Sequence, residues 1–333
     1  MTRPGGASPS PTTLGIESSC DESSVALVRG REVLVNLIAS QEALHAGFGG
    51  VVPEVAARAH LRQLPGLVDA ALERTCARPE DIDLLAVTRG PGLAGCLLVG
   101  TGLAAGLAAA WDKPLAGVNH LWGHVYAAFL AERDLQPPLL ALVVSGAHSD
   151  LVWMSRHGDF EVLGRTRDDA AGEAFDKAAR MLGLGYPGGP ALDRLARTGH
   201  ASRQPLPVPA LPGLEYSFSG LKTALLYRLR DLGDPSQEQK ADLAAAFERS
   251  VVESLLAKLA LAVDERRPAE VVIAGGVAAN TLLRKRAAEL VSGSARLTIP
   301  PLQLCTDNAA MIAAAAALSQ VRQPATADPS LSW

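Results

Sequence analysis

The sequence predicts an α/β protein made of two related halves. A strand, a polar turn and a returning strand, followed later by a strand, a glycine turn and a helix, occur within residues 14–110 and again within 139–290. The length of 333 residues suits two domains of about 150 residues each. Aromatic residues make up only 4% of the chain, so Ala, Leu and Val must build the cores, and the abundant Gly and Ala favour close packing of helices on sheets.

Each element of the first half follows from its pattern. Short apolar runs separated by polar turns predict an antiparallel meander, and apolar residues among charged ones at helical spacing predict a helix after it. The predicted strands are 14–17, 25–28, 33–39 and 84–88, and the predicted helices are 54–77 and 94–110.

One uncharged stretch, Gly92–Trp111, is about as long as a membrane span. It is built of Gly and Ala more than of Leu and Ile, begins with a Pro-Gly turn, and stands alone in the chain. We therefore expect a buried helix beside a sheet, with Gly102 and Gly106 allowing close backbone approach, and no contact with a membrane.

The second half repeats the pattern with additions. The predicted strands are 139–144, 151–154 and 271–274, and the predicted helices are 242–263, which is amphipathic, and 278–290. Prolines make residues 199–215 a surface loop. Residues 1–13 lack the apolar run of a signal peptide and predict a disordered tail, and 324–333 predict a frayed one.

Charge and cysteine content restrict the function classes. A net charge of −4 and only short basic clusters, such as residues 284–286, argue against a protein that binds RNA by itself, so a local patch or partner proteins must supply the attraction. Four scattered cysteines without a C-x-x-C pair indicate reduced thiols and a cytosolic protein, and they predict neither a disulfide framework nor a zinc knuckle.

Two histidines at helical spacing form a candidate metal site. His120 and His124 follow Asn119, which is suited to cap a helix, and the spacing places both imidazoles on one face. Two imidazoles so placed can hold one divalent metal. When such a pair occurs alone, the commoner interpretation is two helix histidines without a shared function. Leu121 stands where a zinc peptidase needs its catalytic Glu, which disfavours peptidase chemistry.

Asp307 is the candidate third ligand. It lies where an alanine-rich helix begins, so a helix cap is the competing interpretation and the commoner one.

Two turns and a glycine pair suit a bound anion. The turn Ser145–Ser149 can present backbone N–H groups to a phosphate, although a simple hairpin loop explains it equally well. The turn Ser18–Ser24 can act similarly, with Glu17 and Asp21 beside a metal or nucleophile. Gly275-Gly276 before a helix resembles a nucleotide contact, with Asn280 a candidate for a ribose hydroxyl.

Further candidates lie between these turns. Residues 168–177 place four acids and a lysine near a helix start, and there Asp176 and Lys177 are candidates to face a substrate, with a solvated face as the default. The tight loop Tyr186–Pro190, which leads to Asp193, is suited to lie against a nucleoside.

The order of these segments resembles the motifs of the bacterial tRNA threonylcarbamoyladenosine transferase (TsaD) family, earlier described as glycoprotein endopeptidases. The similarity covers about residues 14–316. Ser18, Glu22 and Ala147 depart from the family's usual residues, the last replacing a glycine of the phosphate turn. The matching segments are LGIESSCDES, RGPGL, NHxxGH, VSGxH, DDAAGEAFDK, YPGGP, SFSGLK, GGVxxN and CTDN.

The resemblance implies an actin-like ATPase (ASKHA) fold of two ribonuclease-H-like lobes, with the active site in the cleft between them. We assign the lobes to 14–118 and 119–316, with the last helix returning to the first lobe. His120, His124 and Asp307 would hold one divalent metal, Fe²⁺ in the first place and Zn²⁺ in the second. The remaining implied ligand-binding residues are Val143, Val144, Ser145, Gly146 and Ala147 for the acyl-phosphate, and Asp176, Gly189, Asp193 and Asn280 for the nucleotide.

The implied reaction moves threonylcarbamoyl from threonylcarbamoyl-AMP to the N6 amine of the adenosine 3′ of the anticodon, in tRNAs that read codons beginning with A. ATP or ADP can also occupy the nucleotide site. The implied partners are tRNA, a degenerate paralogue and a small ATPase. Asp21 or Glu17 is our candidate general base. The alternatives are an ATP-dependent kinase or O-carbamoyltransferase of the same fold, a nucleotide-switched scaffold and a metallopeptidase.

Overall fold

The computed structural model describes residues 10–185 and 187–333. Predictions for residues 1–9 and for Tyr186 lie outside this part of the chain. Within it, two five-stranded sheets carry helices. The α/β class predicted from the sequence is confirmed.

The first sheet has the strand order β3-β2-β1-β4-β5. β1 pairs antiparallel with β2, and it pairs parallel with β4, which continues parallel to β5. The meander predicted for the first half is therefore present, and each strand extends a little beyond its predicted apolar run. The strands are β1 Thr12–Glu17, β2 Glu22–Arg29, β3 Glu32–Ser40, β4 Leu84–Gly90 and β5 Leu115–Asn119.

The second sheet has the order β10-β9-β6-β7-β8. β6 pairs antiparallel with β7 and parallel with β9. Since β6 takes the place that β1 has in the first sheet, the two sheets share one topology, and the predicted duplication is confirmed. The strands are β6 Leu139–Val144, β7 Ser149–Arg156, β8 Asp159–Arg165, β9 Glu270–Ala274 and β10 Arg296–Thr298.

The helices pack on these sheets and on one another. α2 and α3 contact the first sheet and each other, α11 lies against four strands of the same sheet, and α5 to α9 share one core with β6 and β9. The helices are α1 Glu42–Ala46, α2 Pro53–Thr75, α3 Ala94–Trp111, α4 His120–Ala131, α5 Ala171–Met181, α6 Gly188–Ala196, α7 Ser219–Leu232, α8 Gln237–Arg266, α9 Thr281–Val291, α10 Leu302–Cys305 and α11 Ala309–Ser319.

The chain divides into two compact units. Within the described residues, the first comprises the chain up to Ala39 with Pro53–Tyr126 and Asn308–Ser332, and the second comprises Ser40–Val52, Ala127–Asp307 and Trp333. The boundary thus falls inside α4, eight residues after the predicted one at 118, and α11 belongs to the first unit. That placement has a physical reason, because α11 packs on β1, β2, β4 and β5.

α3 is less buried than its sequence suggested. Only 33% of the helix is buried, although its length and composition would suit a membrane span, and one such helix is weak evidence for a membrane. Leu98 is 63% exposed. Gly102 and Gly106 have no atom within 4 Å of where a Cβ would lie, so the close approach predicted at these glycines is wrong.

Other predictions need correction at their ends. Thr12 and Thr13 belong to β1, not to a tail. The segment predicted to fray is bound, since Asp328 N donates to Arg89 O and the Asn119 amide donates to Ser332 O. α6 begins at Gly188, inside the predicted tight loop. α8 exceeds the predicted amphipathic helix and is mostly buried, because it runs through the core of the second unit.

Candidate active site

The two histidines lie in the first turns of α4, where β5 ends. The Asn119 side chain accepts a hydrogen bond from Leu121 N at 2.8 Å and so caps the helix as predicted. The His120 and His124 rings meet edge to face with centroids 4.7 Å apart, and both are buried. The local sequence therefore places two imidazoles side by side in a protected position.

Asp307 joins this pair. Asn308, not Asp307, caps α11, because its side chain accepts from Met311 N at 3.1 Å. The competing interpretation of Asp307 as a helix cap is thus wrong. One ligand atom from each of His120, His124 and Asp307 lies within 4.8 Å of the others. Two imidazoles and one carboxylate are a donor set that suits non-haem Fe²⁺ or Zn²⁺.

Glu17 orients the first of these ligands. Its carboxylate accepts a hydrogen bond at 3.0 Å from Nδ1 of His120, leaving Nε2 as the ring nitrogen available to a metal. Glu17 also accepts from Ser19 N and from the Thr88 hydroxyl, each at 2.5 Å. A carboxylate that holds a metal-binding imidazole in one tautomer is a common support of metal sites, and it strengthens the fit of this group to a metal.

Asp21, the other predicted base, is half-buried in the same unit. Burial, followed by the nearby charge of Asp21, raises the pKa of the Cys96 thiol to about 11. Cys96 is therefore a neutral thiol at ordinary pH. All four cysteines are free, as the sequence predicted.

The turn after β6 is built from backbone in the second unit. Ser145 N donates to His148 O at 2.8 Å, while Gly146 and Ala147 are exposed at the tip. A Cβ on Gly172 would lie 2.4 Å from Ser145 O, and one on Gly275 would lie 2.3 Å from Val144 O. The predicted phosphate turn and the predicted glycine turn therefore lie against each other, and no side chain fits between them.

The residues implied to bind the nucleotide form two contacts along α6. Asp176 accepts hydrogen bonds from Gly188 N at 3.0 Å and Gly189 N at 3.2 Å. One turn further along α6, Asp193 accepts from the Asn280 amide at 3.3 Å. Since Gly189 and Asp193 are four residues apart, they share one face of the helix, and all four predicted residues lie along it.

Asn280 is itself a helix cap, because its side chain accepts from Leu283 N at 2.8 Å. α9 consequently begins at Thr281, three residues later than predicted, after a short 3₁₀ turn. The Asn280 amide N–H₂ is left to donate to the carboxylates of Asp193 and Glu248.

The sequence did not single out Glu248, although it lies in this group. Its carboxylate accepts from the Asn280 amide at 2.7 Å and is only 6% exposed. Burial, together with the neighbouring Asp193 carboxylate, raises the pKa of Glu248 to about 7. Burial would raise the pKa of Asp193 as well, but hydrogen bonds, first from Arg197 and then from Thr281 and Glu248, lower it. Neither periodicity nor a motif marks Glu248 in the sequence.

Lys177 turns out to be held by acids. Its ammonium lies 2.7 Å from Asp169 and 2.9 Å from Glu173, and Lys222 lies 3.0 Å from Asp169. The hydrogen bonds that Lys177 donates to Asp169 and Glu173 raise the pKa of its ammonium group. These ion pairs fix α5 and α7 to the segment before α5.

Fold and site together define a class, that of actin-like proteins with two repeated ribonuclease-H-like sheets and with donors for one metal. The tRNA N6-adenosine threonylcarbamoyltransferase (TsaD) family profile matches residues 32–314, and the chain belongs to this family. A relative with that name from Symbiobacterium thermophilum is 53% identical over 305 residues, which is 91% of this chain and 89% of the relative. Another from Acidovorax sp. is 50% identical over 314 residues, covering 92% and 90%.

Solved structures support the fold class. HypF from T. kodakarensis superposes with a TM-score of 0.66 at 14% identity, over 93% of this chain and 48% of that one. At this identity the likeness shows the fold alone, and it agrees with the actin-like topology expected from the sequence.

Proposed function

We propose that this chain transfers a threonylcarbamoyl group to the N6 amine of an adenosine in tRNA, as an acyltransferase of its family. The observation that carries the proposal is the convergence of His120, His124 and Asp307, residues far apart in sequence, within 4.8 Å. A kinase or O-carbamoyltransferase of the same fold is not favoured by the comparisons.

We propose the following donor, acceptor, metal, partners and location for this reaction. The donor is threonylcarbamoyl-AMP, the acceptor is the adenosine 3′ of the anticodon in tRNAs reading codons that begin with A, and the metal is Fe²⁺ or, second, Zn²⁺. The partners are a degenerate paralogue and a small ATPase, and the location is the cytoplasm. Partner proteins agree with a net charge of −4, which is too acidic for strong tRNA binding by this chain alone.

The residues divide the chemistry between them. His120, His124 and Asp307 would hold the metal, which supplies Lewis acidity when bound. Glu17 is a positioning residue, since its carboxylate is occupied by the His120 ring, Ser19 N and Thr88. Asp21 is therefore the better of the two candidate bases.

The reaction is an acyl substitution. The adenine amine nitrogen forms a bond to the carbamoyl carbon, the bond from that carbon to the phosphate oxygen breaks, and AMP leaves with the electron pair. The amine proton passes to Asp21. The turn Val143–Ala147, with Asp176, Gly189, Asp193 and Asn280, binds the adenylate and holds its carbonyl for attack, which lowers the entropic part of the barrier.

The test is modification of an unmodified tRNA transcript by the complete set of partners, comparing wild type with His120→Ala. We expect loss of more than about a hundredfold in rate, because a catalytic metal contributes several kcal/mol. His200→Ala, on an exposed histidine, is the matched control and should retain activity. If His120→Ala, folded by its melting curve, modifies tRNA at the wild-type rate, the metal assignment is wrong.

A further inference from the structure

Two carboxyl groups meet inside the second unit. Asp193 on α6 is 8% exposed and Glu248 on α8 is 6% exposed, and each of the two acids contributes to the pKa shift of the other. The amide of Asn280 lies across both, at 2.7 Å from Glu248 and 3.3 Å from Asp193. The pair is thus part of the surface that the nucleotide-binding residues form.

The two acids have unequal surroundings. Asp193 accepts from the Thr281 hydroxyl at 2.8 Å and from Thr281 N at 3.3 Å, and it is paired with Arg197. The charged groups that act on Glu248 are Asp193 on α6 and Arg197 directly after that helix, while Asn280, which caps α9, contributes a neutral amide. Two buried carboxylates in contact cannot both ionise readily, so the charge stays on Asp193 and the proton on Glu248.

We propose that Glu248 is a further positioning residue of the nucleotide site, and that nucleotide binding requires its protonated form and is coupled to proton uptake. The inference rests on the proposed roles of Asp193 and Asn280 as nucleotide-binding residues. A neutral Glu248 joins Asp193 through a hydrogen bond and leaves the ionised Asp193 as an acceptor for a sugar hydroxyl.

Ionisation of Glu248 opposes binding for two reasons. A second negative charge repels Asp193, so the two carboxyl groups move apart and the Asn280 amide can no longer bridge them. A bound nucleotide also removes the remaining water from the pair, which penalises an ionised carboxylate further. Because the pKa of Glu248 in the free protein is about 7, this change falls near neutral pH.

The experiment is calorimetric titration with AMP at about pH 6 and about pH 8, for wild type and Glu248→Gln. Gln keeps the size and the acceptor for Asn280 but cannot ionise. For a group that must be protonated with a pKa of about 7, the wild-type affinity should be about tenfold weaker at the higher pH. Glu265→Gln, exposed on the same helix, is the control and should behave as wild type.

The AMP phosphate also titrates, with a pKa of about 6, but it does so equally with every variant. We therefore expect Glu248→Gln to lose most of the tenfold difference relative to wild type. Repeating the titration at about pH 8 in two buffers of different ionisation enthalpy should show proton uptake by wild type, since the phosphate is already ionised there.

The outcomes separate the two proposals. If AMP binds none of these proteins at either pH, the proposed nucleotide role of Asp193 and Asn280 fails. If AMP binds and Glu248→Gln has the pH dependence of wild type, the inference about Glu248 is overturned. If Glu248→Gln does not fold, the number of protons that the wild-type protein takes up on binding AMP is the test. If no proton is taken up at about pH 8, the inference is overturned as well.

Discussion

β1 and β6 occupy the same position in their sheets, each between an antiparallel neighbour and a parallel one, yet their ends differ. β1 ends in Glu17, a fully buried side chain that accepts from three donors, one of them His120. β6 ends in Val144, whose carbonyl lies against Gly275 where a side chain would be. The turn that follows has an exposed tip.

The difference shows how a duplicated fold divides its work. The first strand end contributes a charged side chain, which orients the imidazole of His120, a candidate metal ligand. The second contributes a backbone turn that packs closely against Gly275 and has open space only at its tip, beside Gly146. Substitutions at the two strand ends should therefore have different effects. Those at the end of β1 should lower metal affinity, and those at the end of β6 should lower stability and nucleotide affinity.

The largest effect is expected from Glu17→Gln. The amide keeps the size of the side chain but loses the negative charge that holds the His120 N–H, so metal affinity should fall about 10- to 100-fold. Competition with a chromophoric chelator, using Fe²⁺ or Zn²⁺ alone, measures this change. AMP affinity should stay within about twofold of wild type if the two strand ends act separately.

Glu32→Gln, exposed on β3 of the same sheet, is the control and should bind metal as wild type does. Unchanged metal affinity in a folded Glu17→Gln protein would show that the buried carboxylate does not support the metal site. The statement that the end of β1 supports a metal ligand would then be wrong.

The next effect is expected from Gly275→Ala. Gly275 has φ +90°, and its added methyl would lie 2.3 Å from Val144 O. Strain and overlap together should lower the free energy of unfolding by about 1–3 kcal/mol and weaken AMP binding, as measured by denaturant titration and calorimetry.

Gly293→Ala separates the two causes of this loss. Gly293 has a similar φ of +80°, but nothing lies within 4 Å of where its Cβ would be. We expect a smaller loss of stability there and no change in AMP affinity. Equal losses at both positions would mean that backbone strain alone acts at Gly275, and that the close approach to Val144 is not tight.

The features that could be predicted from the sequence are those set by short stretches of neighbouring residues. The meander, the cap at Asn119 and the pairing of His120 with His124 follow from patterns a few residues long, and all are present. The contact of Glu17 with His120 joins residues 103 apart in sequence, and no spacing rule reaches that far.

The sequence also did not show which helix faces and acidic side chains are buried. α3 has no charged residue to mark its outer face, so composition suggested a buried helix where one side is exposed. Glu248 looks like any acid of a long helix until the fold brings Asp193 beside it. Motif resemblance, by contrast, grouped Asp307 with the two histidines, which lie beside it, because it compares positions across the whole chain and not neighbours along it.

The smallest effect is expected at the tip of the second strand end, from Ala147→Gly, which restores the family's usual residue. Ala147 is exposed and is not among the described residues with positive φ. Glycine there should lower the free energy of unfolding by about 0.4–1 kcal/mol, through a more flexible unfolded chain. Ala210→Gly, at an exposed position of the loop 199–215, should lose a similar amount. AMP affinity should change less than about twofold in either variant, since the methyl group lies in open solvent. A tenfold gain in AMP affinity for Ala147→Gly alone would contradict this expectation, and it would show that the Ala147 methyl group hinders the nucleotide bound at this turn.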